Sequence, residues 1–139
     1  MTNVDVLKNK ISEIQKYFQL LKNYQNIKKD DLIKDATLKG AVERYLYLIC
    51  QATIDFAEAL ISYLNLRTPS TYGEIFEILG EQNLITKEMV LKMKKMVGFR
   101  NILAHAYGEV NLDIMLEVLK KDIFDFNLFI KEIREKQKI

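Results

Sequence analysis

The sequence predicts an all-α fold, an up-and-down bundle of four long helices plus a short helix. Apolar residues recur at steps of three and four along four segments, the signature of helices with one buried face. No segment alternates apolar and polar residues between turn clusters as a half-buried strand would. One Pro and five Gly in 139 residues leave little to interrupt helices. With 49% apolar residues the chain can bury one core, so residues 1–139 read as a single domain.

The first helix is expected from about Asp5 to Lys22, because Val4, Leu7, Ile11, Ile14, Phe18 and Leu21 share one face. A polar stretch around Lys28, Lys29, Asp30 and Asp31 separates it from a second, long helix. There Leu38, Val42, Tyr45, Ile49, Ala52, Phe56, Ala59 and Tyr63 alternate steps of four and three. Leu46, Leu48, Ile54, Leu60, Ile61 and Leu64 exceed what a one-sided helix needs, which makes this helix either central or part of a dimer interface. Pro69 breaks the chain, and Thr71 to Glu74 has capping-box spacing for a short helix ending near Gly80. Thr86 is an N-cap for the next helix, which Gly108 is expected to terminate. Asn111 caps the last one, whose Leu112, Leu116, Leu119, Ile123, Phe126, Ile130 and Ile133 form an uninterrupted stripe.

Composition excludes several function classes. The net charge of +2 is too small to announce a nucleic-acid binder by itself. Cys50 is the sole cysteine, so no disulfide forms within one chain, and the expected compartment is the reducing cytoplasm. Charges such as Glu43, Arg44, Asp55 and Glu58 interrupt the most apolar segment, and no membrane span is expected. One histidine with no pair of carboxylates at ligand spacing supplies too few ligands for a metal, and glycine-rich phosphate loops are absent; no cofactor is expected. Met89, Met93 and Met96 read as core packing, and Cys50 as a small buried hydrophobe.

The chemistry concentrates in Phe99-Arg100-Asn101-Ile102-Leu103-Ala104-His105-Ala106-Tyr107. An Arg that grips phosphate as a fork, a His titrating near neutral pH and a phenol within eight residues suit phosphoryl chemistry. Arg100 occupies a position where the stripe Met89, Met93, Met96, Leu103, Tyr107 calls for an apolar side chain. Such a guanidinium needs a partner: Glu43, Asp55 or Glu58 as a structural ion pair, or an anionic ligand. Asn101, one turn before His105, is placed to orient the imidazole, and Tyr107 to serve as a core aromatic with its hydroxyl at the surface. Five residues of helix rotate a side chain by about 500°, leaving Arg100 and His105 roughly 140° apart. They converge only if the helix end distorts, if long side chains curl into a cleft, or if a second chain completes the site. RNA cleavage through the 2′-hydroxyl needs proton removal, proton donation and charge stabilisation, and a symmetric dimer would supply two copies of His105 and Arg100 to one groove.

The pattern Arg-x-x-x-x-His-x-Tyr, with Asn after the Arg and Lys95 to Phe99 before it, resembles the signature of the HepT-like toxins of the HEPN superfamily. The long helix with Glu43-Arg44-Tyr45 and Asp55, the turn at Pro69 to Tyr72, and the restart from Asn111 to Leu119 are similar in placement to that family. The resemblance implies a HEPN-like all-α homodimer that cleaves RNA without a metal, as the toxin of a type VII toxin-antitoxin pair. It also implies a cognate minimal nucleotidyltransferase as antitoxin. On this sequence it implies Arg100 and His105 as the catalytic pair, Asn101 as their support and Tyr107 as the acceptor of adenylate. The alternative is a noncatalytic helical module that binds a nucleotide or a nucleotidyltransferase through the same pocket.

Overall fold

The computed structural model describes residues 3–105 and 110–139. Among the described residues seven α-helices follow in order: α1 (Val4–Lys22), α2 (Lys29–Lys34), α3 (Ala36–Tyr63), α4 (Tyr72–Glu81), α5 (Lys87–His105), α6 (Leu112–Glu117) and α7 (Phe124–Lys136). A π-helical turn, Val118–Asp122, joins the last two. No strand occurs among the described residues.

Helix α3 is the axis of the bundle. It packs against α1, α2, α4 and α5, and its Leu46, Ile54, Leu60 and Ile61 are buried within the chain. Most of the apolar surplus of this helix therefore marks a central element, while Leu48 and Leu64 stay half-buried. Helix α1 buries Leu7, Ile11, Ile14, Phe18 and Leu21 as its periodicity requires. At the far end Phe129 meets Phe56 and Phe76 edge to face, at 6.0 and 5.7 Å between ring centroids, locking α7 onto α3 and α4.

Side-chain caps set the helix starts. Asn3, Asp35, Thr71, Thr86 and Asn111 each accept a backbone N–H at 3.0–3.1 Å. The expected capping box at Thr71 is only half present. Glu74 does not return to the Thr71 N–H; its carboxylate accepts from Ser70 N–H and from Arg67, because a guanidinium is the stronger partner.

Two further expectations are corrected. The polar stretch after α1 contains the helix α2, which starts where the Asp31 carboxylate accepts the Lys28 N–H at 2.9 Å and which buries Leu32. Helix α4 ends at Glu81, one residue past Gly80, as expected. Both α3 and α4 end on an asparagine in the left-handed region, Asn65 (φ 55°) and Asn83 (φ 57°). Leu66 N–H donates to Ile61 O and Leu84 N–H to Leu79 O, each at 3.0 Å, the six-to-one bond of a Schellman ending. Gly80 itself also serves packing, since a Cβ there would lie 2.6 Å from Val90 Cγ2 on α5. Finally, the last helix is not continuous: Ile123 N–H reaches back five residues to Val118 O at 3.0 Å. The wider turn keeps Val118, Leu119 and Ile123 all buried, which a stripe read only from spacing does not reveal.

Candidate anion-binding site on the motif helix

Helix α5 carries the motif and stays α-helical through His105, so the angular separation of Arg100 and His105 persists. Distortion before His105 is not the way these side chains are brought together. Arg100 is half-buried and turned toward α3, whereas His105 is exposed on the last residue of α5. Tyr107 and Gly108 lie outside the described residues, so Tyr107 and the termination at Gly108 have no structural account.

The Arg100 guanidinium is held by neutral groups. Its Nε–H donates to Gln51 Oε1 at 3.0 Å, Nη1 to Asn101 Oδ1 at 3.1 Å, and Nη2 to the Tyr47 hydroxyl at 3.4 Å. Its Cζ lies 5.5 Å from the Tyr47 ring centroid and 5.2 Å from that of Tyr72, at the start of α4. Cation–π contacts of this kind contribute about 0.5–2 kcal/mol each, depending on desolvation. Gln51 is itself fixed, its Nε2 donating to Asp55 Oδ1 at 2.9 Å one turn along α3. That bond directs the amide oxygen at Arg100, so Asp55 acts on the guanidinium only through an intervening amide.

The expected structural ion pair is thus a correction. Among the described residues no carboxylate forms a salt bridge with Arg100: Glu43 sits with Lys39 at 3.6 Å, and Asp55 is occupied by Gln51. A guanidinium has five N–H donors, and those on its outer edge meet no anion among the described residues. A half-buried cation without a counter-charge favours an anionic ligand, and the fork shape suits a phosphate.

Asn101 is also placed differently from expectation. Its amide oxygen takes up Arg100, and among the described residues no hydrogen bond joins it to His105. Tyr47 and Gln51 were not legible as site residues one by one. The available signal is the polar stripe Tyr47, Gln51, Asp55, spaced by four on a helix rich in apolar residues.

Two cavities flank α5. An apolar one of about 370 Å³ is floored by Cys50, Met93, Met96 and Phe99 and edged by Ile102, Ile114 and Val118. Salt bridges Lys92–Asp125 (3.6 Å) and Lys95–Asp122 (3.5 Å) cross its rim. Burial pushes the Cys50 thiol up to about 12, against a smaller opposing effect of Arg100. The other cavity, about 390 Å³ and more polar, lies between Gly40, Glu43, Arg44 and Tyr47 of α3 and Leu103 and Ala104 of α5. Among the described residues no three His, Cys, Asp or Glu side chains gather to hold a metal, and no helix is long and apolar enough to cross a membrane.

A bundle whose motif helix presents a conjugated cation and an imidazole defines a helical domain equipped for phosphate chemistry. The chain belongs to the ribonuclease HepT-like family, whose family model matches residues 8–133. It is similar to an mRNA nuclease HepT of Shewanella oneidensis, 36% identical over 132 residues covering 94% of this chain and 97% of the relative. A tRNA nuclease HepT of Aphanizomenon flos-aquae is 27% identical over 135 residues, 96% of this chain and 92% of that one. Among solved structures it resembles the tri-AMPylated Shewanella oneidensis HEPN toxin in complex with its MNT antitoxin. There the TM-score is 0.85 and the identity 33%, covering 96% of this chain and all of the other.

Proposed function

We propose that this chain is the ribonuclease toxin of a toxin-antitoxin pair, acting as one domain in the cytoplasm and cutting RNA with Arg100 and His105. The observation that carries the reading is Arg100 itself, half-buried, pinned in position by Gln51, Tyr47 and Asn101, and lacking a carboxylate partner among the described residues. Family membership supports it, as do the nuclease relatives and the toxin-antitoxin complex among the structural neighbours.

The chemistry follows from these groups. The 2′-hydroxyl of a ribose loses its proton to an imidazole and its oxygen attacks the adjacent phosphorus. The bond from phosphorus to the 5′-oxygen breaks, leaving a 2′,3′-cyclic phosphate, and the departing oxygen takes a proton to become a 5′-hydroxyl. Arg100 neutralises the charge that builds on the phosphoryl oxygens at the crowded phosphorus. Because the two side chains diverge on one helix, the complete site is a groove shared by two chains, each contributing one His105 and one Arg100. The step requires no metal, since the guanidinium supplies the positive charge.

Regulation centres on Tyr107, which accepts adenylate from a cognate minimal nucleotidyltransferase; the added phosphate and base then block an incoming strand by bulk and by charge. The test is RNA cleavage by His105→Ala and Arg100→Ala proteins, in the presence and absence of a chelator. Each substitution abolishes cleavage with the fold retained, and the chelator changes nothing. A His105→Ala protein that cuts RNA at the parental rate overturns the reading.

A further inference from the structure

The polar cavity beside the motif helix is lined by Arg44, an arginine outside the catalytic pair; Arg100 does not line it but shares the Tyr47 ring with Arg44. Arg44 is exposed on α3, with its Cζ 5.5 Å from the Tyr47 ring centroid, and Arg100 stands at the same distance from the same ring. The two guanidiniums are therefore no more than twice that distance apart, comparable with the Debye length of about 10 Å at 0.1 M salt. One ring thus gathers two like charges, and among the described residues neither has a carboxylate within salt-bridge distance. The carboxylate nearest in sequence, Glu43, is engaged by Lys39. At that range the repulsion is modest, but two cations without carboxylate partners among the described residues make a local positive patch that an anion spanning both would suit.

The space beside them is open. Gly40 lies one turn before Arg44 and lines the same cavity, and a Cβ built there meets nothing within 4 Å. The cavity's other wall, Leu103 and Ala104, leads directly to His105. We propose that this groove between α3 and α5 is a binding subsite for single-stranded RNA, in which Arg44 holds a phosphate neighbouring the one gripped by Arg100. Tyr47 fixes the spacing of the two charges, and Gly40 leaves room for the strand. The inference rests on the ribonuclease reading and names how its substrate is held.

The test uses a fluorescent 2′-O-methyl oligonucleotide, which presents the RNA backbone but lacks the attacking hydroxyl, titrated at several salt concentrations. Arg44→Ala flattens the slope of log affinity against log salt by about 0.7, the value of one single-strand phosphate contact. Arg44→Lys keeps the parental slope, because a lysine still neutralises the phosphate. Gly40→Glu, whose carboxylate occupies the groove and pairs with Arg44 one turn on, weakens binding about tenfold while the melting temperature is maintained. Parental affinity and slope in both Arg44→Ala and Gly40→Glu overturn the subsite while leaving the ribonuclease reading standing. If Arg44→Ala binds the oligonucleotide as the parent does yet loses capture of the nucleotidyltransferase, the groove is a protein-docking surface and the proposal fails. A parent protein that neither cuts RNA nor binds the oligonucleotide removes the ribonuclease reading itself.

Discussion

At the scale of single residues, the site turns on how a charge is handled where water is scarce. Arg100 replaces an apolar side chain in the stripe of α5, and its cation is accommodated by a neutral amide, a neutral phenol and two aromatic rings. Had Glu43 or Asp55 paired with it directly, the guanidinium would have been saturated and poorly suited to a phosphate. The interposed Gln51 keeps Asp55 one bond removed, which orients Arg100 without neutralising it. Cys50, the neighbour of Gln51, shows the opposite solution. Its thiol is buried and pushed up to about 12, so it remains protonated and unreactive far above the usual thiol range. We expect no modification of Cys50 by a maleimide in the native protein as the pH rises from 7 to about 9.5, and rapid modification once guanidinium chloride unfolds the chain. Native-state labelling at a rate typical of a free thiol would show that the apolar cavity opens down to its floor.

At the scale of elements, the helix boundaries rest on local chemistry, and most were legible in advance. Ser, Thr, Asn and Asp caps announce helix starts because their side chains satisfy N–H groups that no preceding turn can reach. Helix ends were less legible, since an asparagine in the left-handed region looks in sequence like any polar surface residue. Asn83 is the sharper case, because Gly80 nearby attracts attention as a terminator and is also the contact point with Val90. Asn83→Gly should leave stability within a few tenths of a kcal/mol, while Asn83→Ala should cost about 1 kcal/mol for forcing a Cβ into the left-handed region. Chemical denaturation of both variants checks the ordering; equal midpoints would mean that the ending does not depend on this φ. The π-helical turn between α6 and α7 was hidden for a different reason. An extra residue in one turn leaves the apolar spacing on either side intact, so only the backbone bond from Ile123 to Val118 exposes it.

At the scale of the whole molecule, the question is how one histidine per chain serves a reaction needing two proton transfers. Helix α5 holds Arg100 and His105 on different faces, and the proposed pairing between chains rests on that geometry together with the shortage of groups. The apolar surplus of α3 contributes little to that inference, because the bundle buries Leu46, Ile54, Leu60 and Ile61 and leaves only Leu48 and Leu64 half-buried. Sedimentation should report twice the chain mass. Co-expression sharpens the test: a heterodimer of one parental and one His105→Ala chain should lose RNA cleavage, because the shared groove then holds a single histidine for two proton transfers. Cleavage at about half the parental rate or more in a verified heterodimer would place a complete site in each chain.

The sequence alone determined the helical class, the positions of most caps, the inward face of each long helix and the identity of the motif. These depend on interactions within three or four residues, and such interactions are written directly into spacing and composition. Tertiary structure alone decided that α3 is central, that Arg100 meets Gln51, Tyr47 and Tyr72 and no carboxylate, and that Arg44 joins Arg100 at one ring. Those contacts join residues about fifty positions apart in some cases and under thirty in others. Which of several polar side chains meets a buried charge depends on how helices cross and rotate against one another, and no local spacing encodes that.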